Sequence, residues 1–292
     1  MTTFTRIGVV GAGTIGRGVA HACALAGYEV ALIDTSPQQL TDARDQIRRD
    51  TLTMGMLGKL PTNAPSADTL LDRIETSIHL RALADAGYVI ENITEDWSKK
   101  DAVYRLLDEL CAPEAIFGVN TSAVPITRIG AATRRPQRVI GVHFMNPVPL
   151  MDAVEVIRGH HTSEDTVSQT SELLSSLGKS PIVINDAPGF VTNRVLMATI
   201  NEAIDCVREG TATVEQVDQI CRECFGHSMG PLETADLIGL DTILNSITVM
   251  QDAFRDSKFR PSPLLVRMVE AGLLGRKAGE GFYTYEGAQH DV

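Results

Sequence analysis

The chain has 292 residues, of which 43% are hydrophobic and 22% charged, and its formal net charge is −11. This length and composition are typical of a globular protein with one large domain or two domains. The acidic balance argues against a nucleic-acid-binding protein, because phosphate contacts need a basic surface. It leaves room for a small anionic ligand, which needs only a local group of donors.

Targeting signals, membrane segments and metal sites are not expected. The first residues, MTTFTRIGVV, lead directly into a strand pattern, so we expect no signal peptide. No apolar run approaches the roughly 20 residues that a membrane helix needs. The five cysteines are scattered and odd in number, which favours a reducing cytoplasm. Cys221, Cys224 and His227 have the spacing of metal ligands, but they lie in a helical pattern without a second pair, so we predict no metal.

The first chemical signal is a glycine-rich turn. The segment RIGVVGAGTIGRGVAHACALAGYEVALID reads as a strand, a turn, a helix, a glycine stop and a second strand. Gly11, Gly13 and Gly16 form G-x-G-x-x-G, with Thr14 and Ile15 between the second and third glycines. Such a turn lets the backbone approach a pyrophosphate, and the helix N-terminus supplies amide donors. The segment therefore predicts a dinucleotide site.

An acidic residue identifies the dinucleotide more closely. Asp34 ends the second strand, where its carboxylate can accept hydrogen bonds from both ribose hydroxyls. No arginine follows directly to bind a 2′-phosphate, so NAD is predicted rather than NADP. FAD is the alternative nucleotide. The helical C-terminal part of the chain and the histidine described below favour nicotinamide.

The remaining pattern predicts an α/β domain followed by a helical one. Residues 37–58 look helical, and short β runs then alternate with helical ones: RIETSI, YVIENI, AIFGVNTS, RVIGVHF, AVEVI and PIVIND. This alternation predicts a doubly wound Rossmann-type, mostly parallel sheet with helices on both faces. After Pro188 and Gly189 only helical patterns are convincing. We therefore expect an NAD-binding domain over 1–187 and a smaller all-helical domain over 188–292.

A histidine and a glutamate lie on successive strands in RVIGVHFMNPVPLMDAVEVI. His143 ends a strand on the side of the sheet where open α/β folds bind ligands, and Glu155 lies near the start of the next strand. Alcohol oxidation needs a base near neutral pKa, and a carboxylate on the second ring nitrogen fixes the tautomer. A buried core histidine beside a solvated glutamate is the alternative interpretation, and spacing leaves both open.

Longer motifs provide a resemblance. The chain resembles the 3-hydroxyacyl-CoA dehydrogenase family, which includes 3-hydroxybutyryl-CoA dehydrogenases, over nearly its whole length. The matching segments are GAGTIG, NTSAVPIT, GVHFMNPVPLMDAVEVI, DAPGFVTNRVLMATINEA, MGPLETADLIGLDT and GRKAGEGFYTY. The resemblance implies NAD-dependent oxidation of the 3-hydroxyl of a short hydroxyacyl thioester. It also implies that the helical domain binds substrate and forms a homodimer.

The resemblance assigns roles to individual residues. His143 is similar to the family's catalytic base, and Glu155 to the carboxylate that orients this base. Ser122 is similar to a serine between substrate and nicotinamide, and Asn193 to an asparagine that holds the reacting group. Because Asn193 belongs to the predicted helical domain, the resemblance implies a site between the two domains. Lys100 and Lys277 would balance the pyrophosphate, although Lys277 also suits a packing tail. The implied NAD contacts are Asp34, Glu95, Lys100, Ser122, Asn146 and Lys277.

The chain departs from the family at the CoA contacts. Asp50 and Leu57 stand where the family has a serine and a lysine. Arg44, Arg48 and Arg49 could replace those phosphate contacts or form a solvated helix face. ENITEDWSKK and MGPLETADLIGLDT also resemble a polyketide-associated branch that acts on acyl-carrier-protein thioesters, such as a glyceryl unit becoming a hydroxymalonyl extender. Further alternatives are lysine-dependent β-hydroxyacid dehydrogenases and non-catalytic relatives such as lens crystallins.

Overall fold

The computed structural model describes residues 4–61, 63–122 and 124–285. The chain separates into two compact units, Met1–Ala187 and Pro188–Val292. The first is an α/β unit and the second is helical. The predicted fold class is confirmed, because a mostly parallel sheet and a separate helical part are both present.

The first unit is built on one eight-stranded sheet with the strand order 3-2-1-4-5-6-7-8. Its central strands are buried on both faces, which explains their continuous apolar sequences. All neighbouring strands are parallel except β6 and β7. The strands are β1 Arg6–Val10, β2 Glu29–Ile33, β3 Ile74–Ser77, β4 Tyr88–Glu91, β5 Ile116–Val119, β6 Val139–Phe144, β7 Ala153–Arg158 and β8 Ser180–Asn185.

Helices connect these strands in the first unit. Several begin with a side-chain cap: the Ser36 hydroxyl accepts from the amide of Gln39, and the Asp96 carboxylate accepts from the amide of Lys99. Such caps fix where the helix starts after each strand. The helices are α1 Thr14–Leu25, α2 Pro37–Met56, α3 Ala67–Leu71, α4 Trp97–Leu110, α5 Ile126–Ala131 and α6 Glu164–Ser176.

The antiparallel pair β6–β7 positions the candidate chemistry. A parallel neighbour would need a long crossover, but the loop of residues 145–152 turns the chain straight back. In the resulting register His143 stands directly opposite Glu155. The side chains of directly opposed residues point to the same face of a sheet. The two residues are therefore side by side although twelve positions separate them in the sequence.

The second unit consists of helices around their own apolar core. Buried side chains such as Ile200, Ile204, Leu232 and Ile243 form that core. Thr213 and Gln216 form a reciprocal capping box at the start of one helix. The helices are α7 Thr192–Arg208, α8 Val214–Phe225, α9 Pro231–Ile238, α10 Leu240–Phe254 and α11 Pro263–Glu270.

The described residues contain neither a membrane-spanning helix nor a group of metal ligands. None of the helices described in 4–285 is both long and apolar enough to cross a membrane. No group of three or more histidine, cysteine, aspartate or glutamate side chains in those residues is arranged to hold a metal ion.

Candidate active site

His143 and Glu155 form a direct, buried hydrogen bond. The distance from His143 Nδ1 to Glu155 Oε2 is 2.8 Å. Only 8% of His143 and 7% of Glu155 is exposed, so water competes little with this contact. A carboxylate can only accept, so Nδ1 carries the ring hydrogen and Nε2 presents its lone pair. Glu155 is thus not the solvated glutamate of the alternative interpretation.

The second ring nitrogen faces a serine. The distance between His143 Nε2 and Ser122 Oγ is 3.0 Å. In the tautomer fixed by Glu155 the serine hydroxyl donates to Nε2. A hydroxyl can also accept, so Ser122 can share a proton network with an alcohol oxygen near the ring. The three side chains form a line from carboxylate to imidazole to hydroxyl, which is an arrangement suited to general base catalysis.

The loop that carries Ser122 is held by Glu95. One oxygen of the Glu95 carboxylate accepts from the amide of Ser122 at 2.6 Å, and the other accepts from the hydroxyl of Thr121 at 2.7 Å. Thr121 is buried, and its hydroxyl also accepts from the amide of Val124. Thr121 was not among the residues selected from sequence, although it lies inside the NTS segment. Glu95 thus fixes the loop that carries Ser122 through both of its carboxylate oxygens.

The glycine turn has the geometry that a dinucleotide requires. Gly11 has a φ of +91°, and a Cβ at Gly16 would stand 1.8 Å from the carbonyl oxygen of Gly11, so the turn can close only with glycine at these positions. A Cβ at Gly13, by contrast, would meet no described atom within 4 Å. No side chain in the described residues caps α1, whose first amides follow Gly13. This open cradle at a helix N-terminus fits a pyrophosphate.

Asp34 lies beside that cradle. Its two carboxylate oxygens accept from the backbone amides of Ala12, at 2.8 Å, and Ser36, at 3.0 Å. Each oxygen keeps a further lone pair, so hydrogen bonds from ribose hydroxyls remain possible. A cavity of about 670 Å³ is bounded by the glycine turn, Asp34 and the loop after β4. The residues present therefore fit NAD.

Lys100 points into the protein, toward the last residue of β4. Its ammonium is fully buried and contacts both carboxylate oxygens of Glu91, at 2.8 and 2.9 Å. Burial raises the pKa of Glu91, while Lys100 opposes that rise. The Lys100 ammonium is thus bound to Glu91 in this structure, and its contact with the pyrophosphate stays a prediction. The sequence does not show that a lysine at the start of a helix can point into the protein.

The other implied contacts lie in loops or in the second unit. Asn146 is exposed in the loop between β6 and β7. Asn193 lies in the first turn of α7 in the second unit. In the same unit both carboxylate oxygens of Asp241 lie within hydrogen-bonding distance of the ammonium of Lys277, at 2.6 and 2.7 Å. The tail that follows is anchored on the buried Asp236 through the amides of residues 282 and 283, which supports the packing role of this segment.

The arginines of α2 are engaged within the first unit. Arg44 donates to the carbonyl oxygens of Leu71 and Ile74, and Arg48 forms an ion pair with Asp68. Arg49 donates to the side-chain oxygen of Gln46, the residue whose amide also contacts Asp50. Arg44 and Arg48 thus connect α2 to the segment that follows it. Whether these arginines also contact a CoA phosphate stays open.

Comparisons with known proteins agree with this geometry. The family profile described as "3-hydroxyacyl-CoA dehydrogenase, NAD binding domain" matches residues 6–187, and the one described as its C-terminal domain matches residues 189–285. A probable 3-hydroxybutyryl-CoA dehydrogenase of Deinococcus radiodurans is 46% identical over 280 residues, covering 96% of this chain and all of the relative. A 3-hydroxybutyryl-CoA dehydrogenase of Bradyrhizobium diazoefficiens is 45% identical over 287 residues, which are 97% of this chain and 96% of the relative.

A solved structure of a 3-hydroxybutyryl-CoA dehydrogenase has the same fold over nearly the whole chain. The crystal structure of (S)-3-hydroxybutyryl-CoA dehydrogenase from Ralstonia eutropha superposes with a TM-score of 0.93 at 39% identity, covering 97% of this chain and 100% of that chain. Both profiles match in order and together cover most of the sequence, so the assignment does not depend on the glycine turn alone. The chain belongs to the 3-hydroxyacyl-CoA dehydrogenase family and is an NAD-dependent oxidoreductase.

Proposed function

We propose that this dehydrogenase acts on short 3-hydroxyacyl-CoA esters and that 3-hydroxybutyryl-CoA is the first ester to test. The observation that carries the proposal is the buried line from Glu155 through His143 to Ser122. The names of the Deinococcus, Bradyrhizobium and Ralstonia relatives support a four-carbon acyl group. The same three names specify CoA esters, so they give no support to the carrier-protein hypothesis.

The chain's own residues supply the proton chemistry. NAD, when bound, supplies the hydride acceptor. Nε2 of His143 takes the proton of the 3-hydroxyl, and Glu155 stabilises the imidazolium that forms. The Ser122 hydroxyl, already 3.0 Å from Nε2, orients the substrate oxygen toward the ring. Asn193 is assigned an amide contact to the substrate through the resemblance of its VTNR segment.

The cofactor is held through backbone and carboxylate groups in this proposal. The amides at the start of α1 bind the pyrophosphate beside Gly13, and Asp34 binds the adenosine ribose. Asp34 would repel a 2′-phosphate, which accounts for NAD rather than NADP. Glu95, Asn146 and Lys277 are assigned contacts with NAD by resemblance, and the Asn146 amide suits the carboxamide side of the nicotinamide.

A substrate panel tests the acyl group and its carrier. Purified protein is given NADH with acetoacetyl-CoA, longer 3-oxoacyl-CoA esters, and acetoacetyl groups on pantetheine and on an acyl carrier protein. We expect the largest kcat/KM for the four-carbon CoA ester, and a smaller value for the pantetheine ester because remote binding energy positions the reacting carbon. A larger kcat/KM for the carrier-protein ester would replace this proposal with the carrier-protein one.

We also propose that the chain forms a homodimer through its helical unit. That unit exposes several large apolar side chains, which supports an association surface. They include Val195, Ile220, Phe225 and Leu237. Sedimentation velocity of the purified protein, and of an Ile220→Asp/Phe225→Asp variant, tests this proposal. A monomeric parent protein would contradict it.

A further inference from the structure

One buried ion pair lies directly beneath the loops of the candidate site. Glu91 is the last residue of β4, and its carboxylate contacts the Lys100 ammonium with both oxygens. Both side chains have no exposed surface. The pair is at the carboxyl edge of the sheet, where open α/β folds bind their ligands. Resemblance assigned Lys100 to the cofactor, but it assigned nothing to Glu91.

The pair also contacts the backbone of both loops. Lys100 Nζ lies 3.5 Å from the carbonyl oxygen of Ile93 and 3.4 Å from that of Asn120. The amide of Ile93 donates to Glu91 at 2.6 Å. Ile93 is two residues before Glu95, and Asn120 is two residues before Ser122. One buried cation thus ties together the loop after β4 and the loop after β5.

The same loops are connected to the dyad. The side-chain oxygen of Asn120 accepts from the amide of Phe144, the residue after His143. Glu95 binds the amide of Ser122, whose hydroxyl reaches His143. A displacement of either loop would therefore change the distance between Ser122 and the imidazole.

Stability does not explain why this pair is charged. Removing two charges from water is costly, and replacing a buried ion pair by apolar residues of similar volume is often neutral or stabilising. An apolar pair could fill the space, but it could not bind the carbonyl oxygens of both loops. We propose that Glu91 is a positioning residue: through Lys100 it holds the two loops so that Ser122 meets His143. This inference rests on the proposed function and adds to it the residue that sets the geometry of its base.

The chain offers a matched control. Asp108 and Arg135 form a second buried ion pair in the same unit, with 2.7 Å between Asp108 Oδ1 and Arg135 Nε. Arg135 also donates to the carbonyl oxygens of Cys111 and Ala112. These residues precede β5 and β6, so this pair lies at the amino edge of the sheet, opposite the candidate site. Breaking it removes a buried pair without touching the Ser122 loop.

The experiment compares Glu91→Gln with Asp108→Asn. Both variants should lose thermal stability, because each leaves a buried cation without its full partner. Only Glu91→Gln should also lose kcat at saturating NADH and acetoacetyl-CoA, by roughly 10- to 100-fold, since a misplacement of about 1 Å can cost on the order of 100-fold. In the protein without cofactor or substrate, the ¹⁵N resonance of His143 Nε2, assigned with a His143→Gln variant, should shift in Glu91→Gln and stay unchanged in Asp108→Asn.

A double variant, Glu91→Met/Lys100→Met, keeps the test decisive if the single variant is unstable. It leaves neither charge of the pair without its partner, so we expect it to fold, with a Tm lowered only by the lost contacts with the backbone of Ile93 and Asn120. Its His143 resonance should still be shifted before any cofactor is added. Equal kcat values in Glu91→Gln and Asp108→Asn with an unshifted resonance would overturn the inference. Parental kcat in the double variant, or its failure to fold, would do so too. If the parent does not oxidise NADH with any 3-oxoacyl ester, the proposed function is wrong. The shift of the His143 resonance in Glu91→Gln would still show whether Glu91 positions the imidazole.

Discussion

Replacing Glu155 by glutamine removes one negative charge from beside His143 and preserves the shape of the side chain. The two groups are 2.8 Å apart and almost completely buried. Glutamine still offers an oxygen to Nδ1, so the ring orientation should survive and the electrostatic stabilisation of the imidazolium should not. Glu155→Gln therefore isolates the effect of charge on the base.

The expected loss follows from the geometry. Two unit charges about 4 Å apart attract by about 4 kcal/mol at an effective dielectric constant near 20. Because the imidazole carries only part of the positive charge in the transition state, about half of this energy should be lost. A loss of about 2 kcal/mol corresponds to a roughly 30-fold lower kcat.

The assay is the consumption of NADH, followed by absorbance, with acetoacetyl-CoA at saturation. Glu164→Gln is the matched control, because Glu164 is a carboxylate of the same unit that pairs with Arg158 at the surface. We expect the control to keep parental kcat and Glu155→Gln to bind NADH normally. If Glu155→Gln keeps kcat within about twofold of the parent, the electrostatic role of Glu155 is refuted.

Three other predictions concern the cofactor turn and acid stability. Asp34→Ala should weaken NADH binding and narrow the preference for NADH over NADPH, and equal use of both cofactors by the parent would contradict this role. Gly13→Ala should leave Tm unchanged but weaken NADH binding on the order of tenfold, about 1.4 kcal/mol. Gly16→Ala should lower the free energy of unfolding by about 1–3 kcal/mol, because its Cβ meets the carbonyl oxygen of Gly11. Identical effects of the two substitutions on Tm and on NADH binding would refute the assignment of Gly13 to the pyrophosphate site. Burial alone would raise the pKa of Asp108, but hydrogen bonds from Arg134 and Arg135 outweigh it and hold that pKa below its usual range. The contacts of Asp108 with the two arginines therefore stabilise the protein fully above the unfolded pKa of about 3.9, and this stability is lost as the pH falls through the lower folded pKa. Urea titrations at several pH values should show that the free energy of unfolding depends less on acid pH in Asp108→Asn than in the parent. An unchanged pH dependence would contradict the stabilising role of the ion pair.

Local patterns in the sequence were enough for the fold and for the neighbourhood of the base. The glycine turn and the alternating β runs predicted the doubly wound sheet, because both depend on residues close together in the chain. His143 and Glu155 could be paired in advance because a short loop joins their two strands. Their register, which puts them directly opposite each other, came only with the structure.

Contacts between distant parts of the chain were not accessible in the same way. Arg48 pairs with Asp68, twenty positions away, and Lys100 turns inward to Glu91. Whether a charged residue on a helix is solvated, paired or buried depends on which face the sheet covers. Thr121 was missed for the same reason, since its value lies in its contact with Glu95, 26 positions earlier.

The most direct test of the account is the turnover of His143→Ala with NADH and acetoacetyl-CoA, measured beside NADH binding in the same preparation. A positioned base contributes on the order of 10²- to 10⁴-fold, so kcat should fall by that factor while the Kd for NADH stays close to that of the parent. Turnover near the parental value in a correctly folded His143→Ala protein would show that His143 is a buried structural histidine, and the proposed mechanism would be wrong.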